Sequence, residues 1–376
     1  MLAGPPALPS SRADTRTAAL FTGSITFLDN LGVWSDLEPL SAPLKAIRII
    51  DDTGRLLRAP EVLFHASEIG LDTFGWNVPN AGLTDVLWRA VARTPGIRIA
   101  TTQRVKAVDI RPDEIIAHTA EGEALTGRLI AAADGRNSIC RTAAGIGTTA
   151  SAYDQSAIAA VFDHGRPHHG ISTEFHRAAG PMTTVPMPGL ASSLVWVERP
   201  AVAENLANLD ETAFRNALTE RLQGLLGRIG AIGPRRLFPL TNLTADRFAQ
   251  SRVALIGEAG HVIPPIGAQG LNLGLRDAAA LADCVADALG RDDDIGGPLA
   301  LRQFHDARRS DVGGRTFAVD TLNRTLISAL LPASLVRGLG LHMIRAMGPL
   351  KRALIHQGLE PIGPRPSLMQ SRNPHA

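Results

Sequence analysis

Arg252-Val-Ala-Leu-Ile-Gly-Glu-Ala-Gly-His-Val-Ile-Pro-Pro-Ile-Gly-Ala-Gln-Gly-Leu-Asn-Leu-Gly-Leu-Arg-Asp277 reads as a buried strand, a tight glycine loop and a helix start in one run. Val253 to Ile256 is a short apolar stretch ended by Gly257, and Pro264, Pro265, Gly267 and Gly270 forbid regular structure until a helical pattern begins near Asn272. Leu271, Leu275, Ala278, Ala282, Val285 and Leu289 then recur at three and four residues, with Gly290 as the stop. The loop thus brings backbone N–H groups, free of bulky side chains, to a helix N-terminus, whose unpaired donors and partial positive charge favour an anion. On spacing alone, an ordinary strand-to-helix turn accounts for the glycines equally well.

The whole string resembles the second FAD-binding motif of flavoprotein aromatic hydroxylases, Gly-Asp-Ala-x-His followed by Pro and a Gly-Gln-Gly-x-Asn-x-Gly-x-x-Asp run. Within that class it is most similar to the ubiquinone-biosynthesis hydroxylases. The resemblance implies that Gly257 and Glu258 meet the ribityl and pyrophosphate part of FAD, with Glu258 one methylene longer than the family's common Asp. It also implies that Gln269, Gly270, Leu271 and Asn272 lie against the flavin's pyrimidine edge, and it counts Pro265 and Gly267 of the same loop among the cofactor-binding residues. Gly260 departs from the usual Ala.

A second marker is Leu129-Ile-Ala-Ala-Ala-Asp-Gly-Arg-Asn-Ser-Ile-Cys-Arg141, a buried strand ending in Asp134-Gly135, with Ser138 and Arg141 spaced along the helix that follows. A lone Asp-Gly is commonly a turn. By resemblance, Asp134 and Gly135 approach the FAD pyrophosphate and take part in NAD(P)H use. Arg16 could be a helix cap or a surface ion pair, but Arg16-Thr-Ala-Ala-Leu20 is similar to the family segment beside the flavin, which favours a cofactor role.

Elsewhere the spacing predicts a helical segment from Ser24 to Trp34, strands over 46–50 and 64–69, and a helix from Asn80 to Val91 stopped by Pro95-Gly96. Strands follow at 97–101, 104–110 and 115–119, then a β-rich region with strands at 156–162, 172–175, 182–186 and 193–198. A helix from Glu211 to Ile229 has Asp210 as its N-cap and Phe214, Leu218, Leu222 and Leu225 on one face. Helices at 301–317, 319–331 and 335–355 complete the chain, the last carrying Arg337, Arg345, Lys351 and Arg352. Such a basic helix more often packs on its own domain, and peripheral membrane contact stays open.

A chain of 376 residues, 45% hydrophobic and 20% charged, is long enough for a large core and about two domains. Its net charge of +2 points to no nucleic acid and no other polyanionic partner. Cys140 and Cys284 have no metal-type spacing, so they read as reduced thiols of a cytoplasmic protein. His164, His168, His169 and His176 lack partners at ligand spacing, so no metal is expected.

The expected fold is α/β: an FAD-binding Rossmann-like domain, N-terminally truncated, interleaved with a β-sheet substrate domain and followed by a helical C-terminus. Its segments are 1–150 (with substrate-domain strands near 40–80), 151–245, 246–290 and 291–376. The family's opening Gly-x-Gly-x-x-Gly βαβ unit, about thirty residues, is not in this sequence. A start placed too late and a truncated protein are both compatible with that. The resemblance implies an FAD-dependent monooxygenase that uses NAD(P)H and O₂ to hydroxylate a prenylated phenol through a flavin C4a-hydroperoxide, and it leaves a biosynthetic complex open. A flavin reductase of isoprenoid double bonds, or a non-catalytic lipid-binding or assembly subunit, remain the alternatives.

Overall fold

The computed structural model describes residues 1–6, 14, 16–54, 60–327 and 363–371. The chain opens with β1 (Leu2–Gly4), β2 (Thr17–Phe21) and α1 (Thr22–Asn30), followed by β3 (Ala46–Asp51), β4 (Val62–His65), β5 (Gly75–Pro79) and α2 (Asn80–Arg93). Next come β6 (Ile99–Thr101), β7 (Val105–Ile110), β8 (Ile115–Thr119), β9 (Ile130–Ala132), α3 (Ile139–Ala143) and the long β10 (Thr148–His164). The later elements are β11 (Ile171–His176), β12 (Met182–Met187), β13 (Ala191–Glu198), α4 (Glu211–Leu222), β14 (Arg236–Ala245), β15 (Val253–Leu255), α5 (Gln269–Gly290) and α6 (Pro298–Ile327).

Two cores organise these elements. In the first, β15 is buried on both faces. Val253 and Leu255 pack against Ile115, Cys140 and Ile146, whereas Ala254 between them faces Leu273 and Leu281 of α5 and Phe304 of α6. Alternation along a strand covered on both sides requires this division. The second core lies on a mostly antiparallel sheet in the order β14-β10-β13-β12-β11-β3-β4. Ile158, Phe162, Phe175, Met182, Leu194 and Trp196 on its inner face bury Phe214, Leu218 and Leu222 of α4. Between the two cores β2 pairs with β5, and α1 packs on α5.

Four expectations need correction. The helix from Glu211 stops at Leu222, because Gln223 turns left-handed (φ 51°) and Gly224 and Gly227 also take positive φ. Ile229 then joins a strand that pairs with β10, so its apolar spacing belongs to the sheet. Leu271 and Leu289 of α5 are 38% and 58% exposed, while Arg276 and Asp277 are buried, so the inward face is not the stripe of leucines. Residues 301–317 and 319–327 belong to one unbroken helix, α6. The helix expected over 335–355, with its basic residues, lies outside the described residues, among which no helix is long and apolar enough to cross a membrane.

Gly75 fixes how closely β5 can approach β2. It sits opposite Phe21, and a Cβ built on it would overlap the Leu20 carbonyl oxygen. We therefore predict that Gly75→Ala destabilises the protein by about 2 kcal/mol or more, read as a lowered urea midpoint. An unchanged midpoint would mean that the β2–β5 pairing is slack.

Candidate functional site

The two glycine-containing loops leave neighbouring strands at the same edge. β9 and β15 run parallel, Ala132 beside Leu255, and Ile256 N–H donates to the Ala132 carbonyl at 2.8 Å. Asp134-Gly135 and Gly257-Glu258 therefore emerge side by side beyond the carboxyl ends of parallel strands, where ligands of open α/β sheets bind. Both glycines take positive φ, 83° and 58°. Arg141 of α3, 8% exposed, pins the loops together by donating to the Ala259 and Arg136 carbonyls at 2.7 and 2.8 Å. Asp134 Oδ2 accepts from Cys140 N–H and Ser138 Oγ from Arg141 N–H, so the start of α3 is capped twice. Burial, with Asp134 nearby, pushes the Cys140 thiol up to about 12, and burial with Asp283 pushes Cys284 to about 11, so both stay protonated.

Helix α5 begins after two left-handed residues, Gly267 (φ 69°) and Ala268 (φ 53°), and no side chain caps it. Asn272, 1% exposed, is spent inside the protein. Its Oδ1 accepts from Phe21 N–H and Ser24 Oγ, and its Nδ2 donates to the Ala19 and Ala268 carbonyls. These four bonds exhaust the amide, so the Asn272 side chain has no donor or acceptor left for a ligand. Gln269 is buried with Oε1 accepting from Arg315 at 2.8 Å, whereas Pro265, Gly267, Gly270 and Leu271 are exposed.

Arg16, Glu258 and Pro265 come together on a cavity of about 260 Å³, which Arg136 also lines. The large sheet supplies its apolar wall through Ala157, Leu194, Val195, Phe238 and Leu240. Arg16 makes a bidentate pair with Asp14 at 2.8 and 2.7 Å, and its guanidinium lies 5.8 Å from the Phe238 ring centre. The ion pair weighed from the sequence against a cofactor role is present, and it sits on this cavity. The Asp14 hydrogen bond, aided at longer range by Glu258, raises the Arg16 pKa above its ordinary value. Glu258 and Arg136, each about half exposed, are 3.5 Å apart.

A Cβ added at Gly135, Gly257 or Gly270 would meet no protein atom within 4 Å, so all three face open space. Open backbone at three glycines, an uncapped helix start and two arginines beside them fit a phosphate-bearing aromatic cofactor. A family model described as FAD binding domain matches residues 7–309. The chain belongs to this FAD-binding family.

It is 34% identical over 364 residues to ubiquinone hydroxylase UbiL of Rhodospirillum rubrum, covering 96% of this chain and 84% of that one. Similarity to 3-demethoxyubiquinol 3-hydroxylase of Escherichia coli K12 is 28% identity over 356 residues, covering 94% and 89%. The fold is shared with p-nitrophenol 4-monooxygenase PnpA of Pseudomonas putida, with a TM-score of 0.74 at 17% identity over 96% of this chain and 91% of that one. The protein is an FAD-dependent oxidoreductase.

Behind the glycine loop of this family member lies a buried ionic network that sequence reasoning missed. Asp277, fully buried, accepts from Gly257 N–H (2.9 Å), pairs with His261 Nε2 (2.7 Å) and accepts from Arg308 Nε (2.6 Å). Asp311 pairs with Arg276 (2.7 Å) and Arg315 (3.2 Å), and Arg308 Nη2 approaches it to 3.1 Å without hydrogen-bond alignment. The available signal was the alternating charge of Arg308, Asp311 and Arg315 at three- and four-residue spacing, which looks the same on an exposed helix face. The histidines of the sheet serve structure: His164 meets Ser192 Oγ and the Arg166 carbonyl, and His176 meets Glu174.

Burial pushes the carboxyls of Asp277 and Asp311 up, but His261 and Arg308 for the first, and Arg276, Arg308 and Arg315 for the second, outweigh it and hold both below the ordinary range. A carboxyl with a depressed folded pKa stabilises the fold above its unfolded value, near 4, and loses that contribution as pH falls through the folded value. Stability should therefore drop below about pH 4. Asp277→Asn strips Arg308 and His261 of a charged partner and should cost about 3–5 kcal/mol at neutral pH while flattening the acid limb. Urea midpoints of parent and variant between about pH 3 and 7 check this, and coincident curves would remove Asp277 from its supporting role.

Proposed function

We propose that the protein hydroxylates the ring of a prenylated phenol in ubiquinone biosynthesis, with O₂ as oxidant and NAD(P)H as reductant. The observation that carries this reading is the cavity itself. It is bordered on one side by the apolar sheet and on the other by Arg136, Glu258 and the Ile263-Pro264-Pro265 segment that follows the glycine loop. The names of the relatives from R. rubrum and E. coli supply the pathway. In this reading segments 1–150 and 246–290 hold the cofactor, 151–245 covers the ring, and 291–376 forms the helical end.

Bound FAD, once reduced, would supply the oxygen-transfer chemistry. The chain's residues do the rest. The uncapped start of α5 presents main-chain donors and the positive end of its dipole to negative charge. Arg16 and Arg136 bring positive charge to the cavity, and Glu258 beside Arg136 would accept from ribityl hydroxyls. Ala157, Leu194, Phe238 and Leu240 keep water off the reacting ring. A prenyl tail partitions into lipid, so the enzyme would take its substrate at a membrane surface while residing in the cytoplasm, within reach of other enzymes of the route.

Gly270 gives a clean test, because a side chain there touches nothing in the protein. Gly270→Val should melt as the parent does yet fail to hold FAD, read as the loss of flavin absorbance after gel filtration. Glu258→Ala should weaken FAD about tenfold or more, as expected for a lost charge-assisted hydrogen bond. Full flavin occupancy in both variants would displace the cofactor from this loop.

A further inference from the structure

We infer that Asn80 and the Thr17–Ser193 hydroxyl pair form a recognition site for a ring hydroxyl of the substrate, selecting a phenol or hydroquinone over the corresponding quinone or ether. This rests on the hydroxylase reading and names the substituent that the cavity reads.

All three residues line the cavity, Thr17 from β2, Asn80 from the start of α2 and Ser193 from β13. Thr17 is the strand partner of Pro79, which places it next to Asn80, and Asn80 N–H donates to the Arg16 carbonyl at 3.1 Å. Asn80 Oδ1 is buried and accepts no hydrogen bond from any described residue. Thr17 Oγ1 and Ser193 Oγ are 2.8 Å apart, and Ser193 Oγ also receives Asn77 Nδ2 at 3.3 Å. The two hydroxyls carry two protons. One lies between the oxygens, and the other meets no acceptor among the described residues, whichever way the pair is oriented.

The wall therefore offers a spare acceptor and a spare hydroxyl proton amid apolar neighbours such as Val195 and Phe238. A phenolic hydroxyl complements both, donating to Asn80 Oδ1 while accepting from the hydroxyl pair. A quinone or ether oxygen can only accept, so it leaves Asn80 Oδ1 dry and unpaired. A buried polar group left without its partner disfavours binding by about tenfold or more. Sites built to hydrogen-bond a hydroxyl reject analogues lacking it for this reason.

The test is calorimetric titration of the FAD-loaded full chain with 4-hexylphenol and with 4-hexylanisole. The parent should prefer the phenol by about tenfold or more. Asn80→Leu should reduce that preference to about twofold or less with the anisole and FAD affinities unchanged, and Asn80→Asp, which keeps an acceptor oxygen, should retain it. A preference that survives Asn80→Leu overturns the inference and leaves the hydroxylase reading standing. If the parent binds neither compound, the hydroxylase reading falls and the inference with it.

Discussion

Asp277 has no contact with water and three partners from three different parts of the chain, and the shape of the glycine loop follows from that requirement. A buried carboxylate must be matched by donors, since an unpaired charge in a low-dielectric interior is among the costliest defects a fold can carry. Matching it draws the Gly257 turn down onto α5, orients the His261 ring and locks α6 through Arg308. Asp311 repeats the demand one layer further and ties Arg315 to Gln269 at the first residue of α5. The glycine loop keeps its open, side-chain-free surface because the force holding it comes from behind.

The other half of the cavity is made by different physics. The large sheet is held by packing of Trp196, Phe162 and Met182 on α4, and it presents its opposite side to the cofactor loops with few polar groups. Charge and close backbone approach define one wall, and apolar area defines the other. Arg16 bridges the two, with its guanidinium shared between Asp14 and the face of Phe238.

The strand, loop and helix around Gly257 were legible in the sequence because three local signals agree there: an apolar run, glycines where φ is positive, and a helical period. The inward face of α5 was not legible. Periodicity counts apolar residues, and Arg276 and Asp277 look solvent-facing until Arg308 and Asp311 arrive from a helix some thirty residues away. The end of α4 was overrun for a related reason, since Leu225 and Ile229 continue its spacing while Gln223 and Gly224 have already left the helix. For Arg16 the sequence suggested an ion pair, and Asp14 supplies it. Asn80 and Ser193 gave no hint of a shared cavity, because only the crossing of β2, β5 and β13 makes them neighbours.

The saturated amide of Asn272 joins residues 251 positions apart in the sequence. Contacts of such high separation form only after the intervening chain has been gathered in, so they belong to the late stages of folding. During synthesis β2 and α1 would leave the ribosome long before α5 exists, and their polar groups must wait for the partner that will satisfy them. The docking of α5 on β2 and α1 is therefore a late event rather than a scaffold for earlier ones. Until then β2 keeps one edge without a strand partner among the described residues.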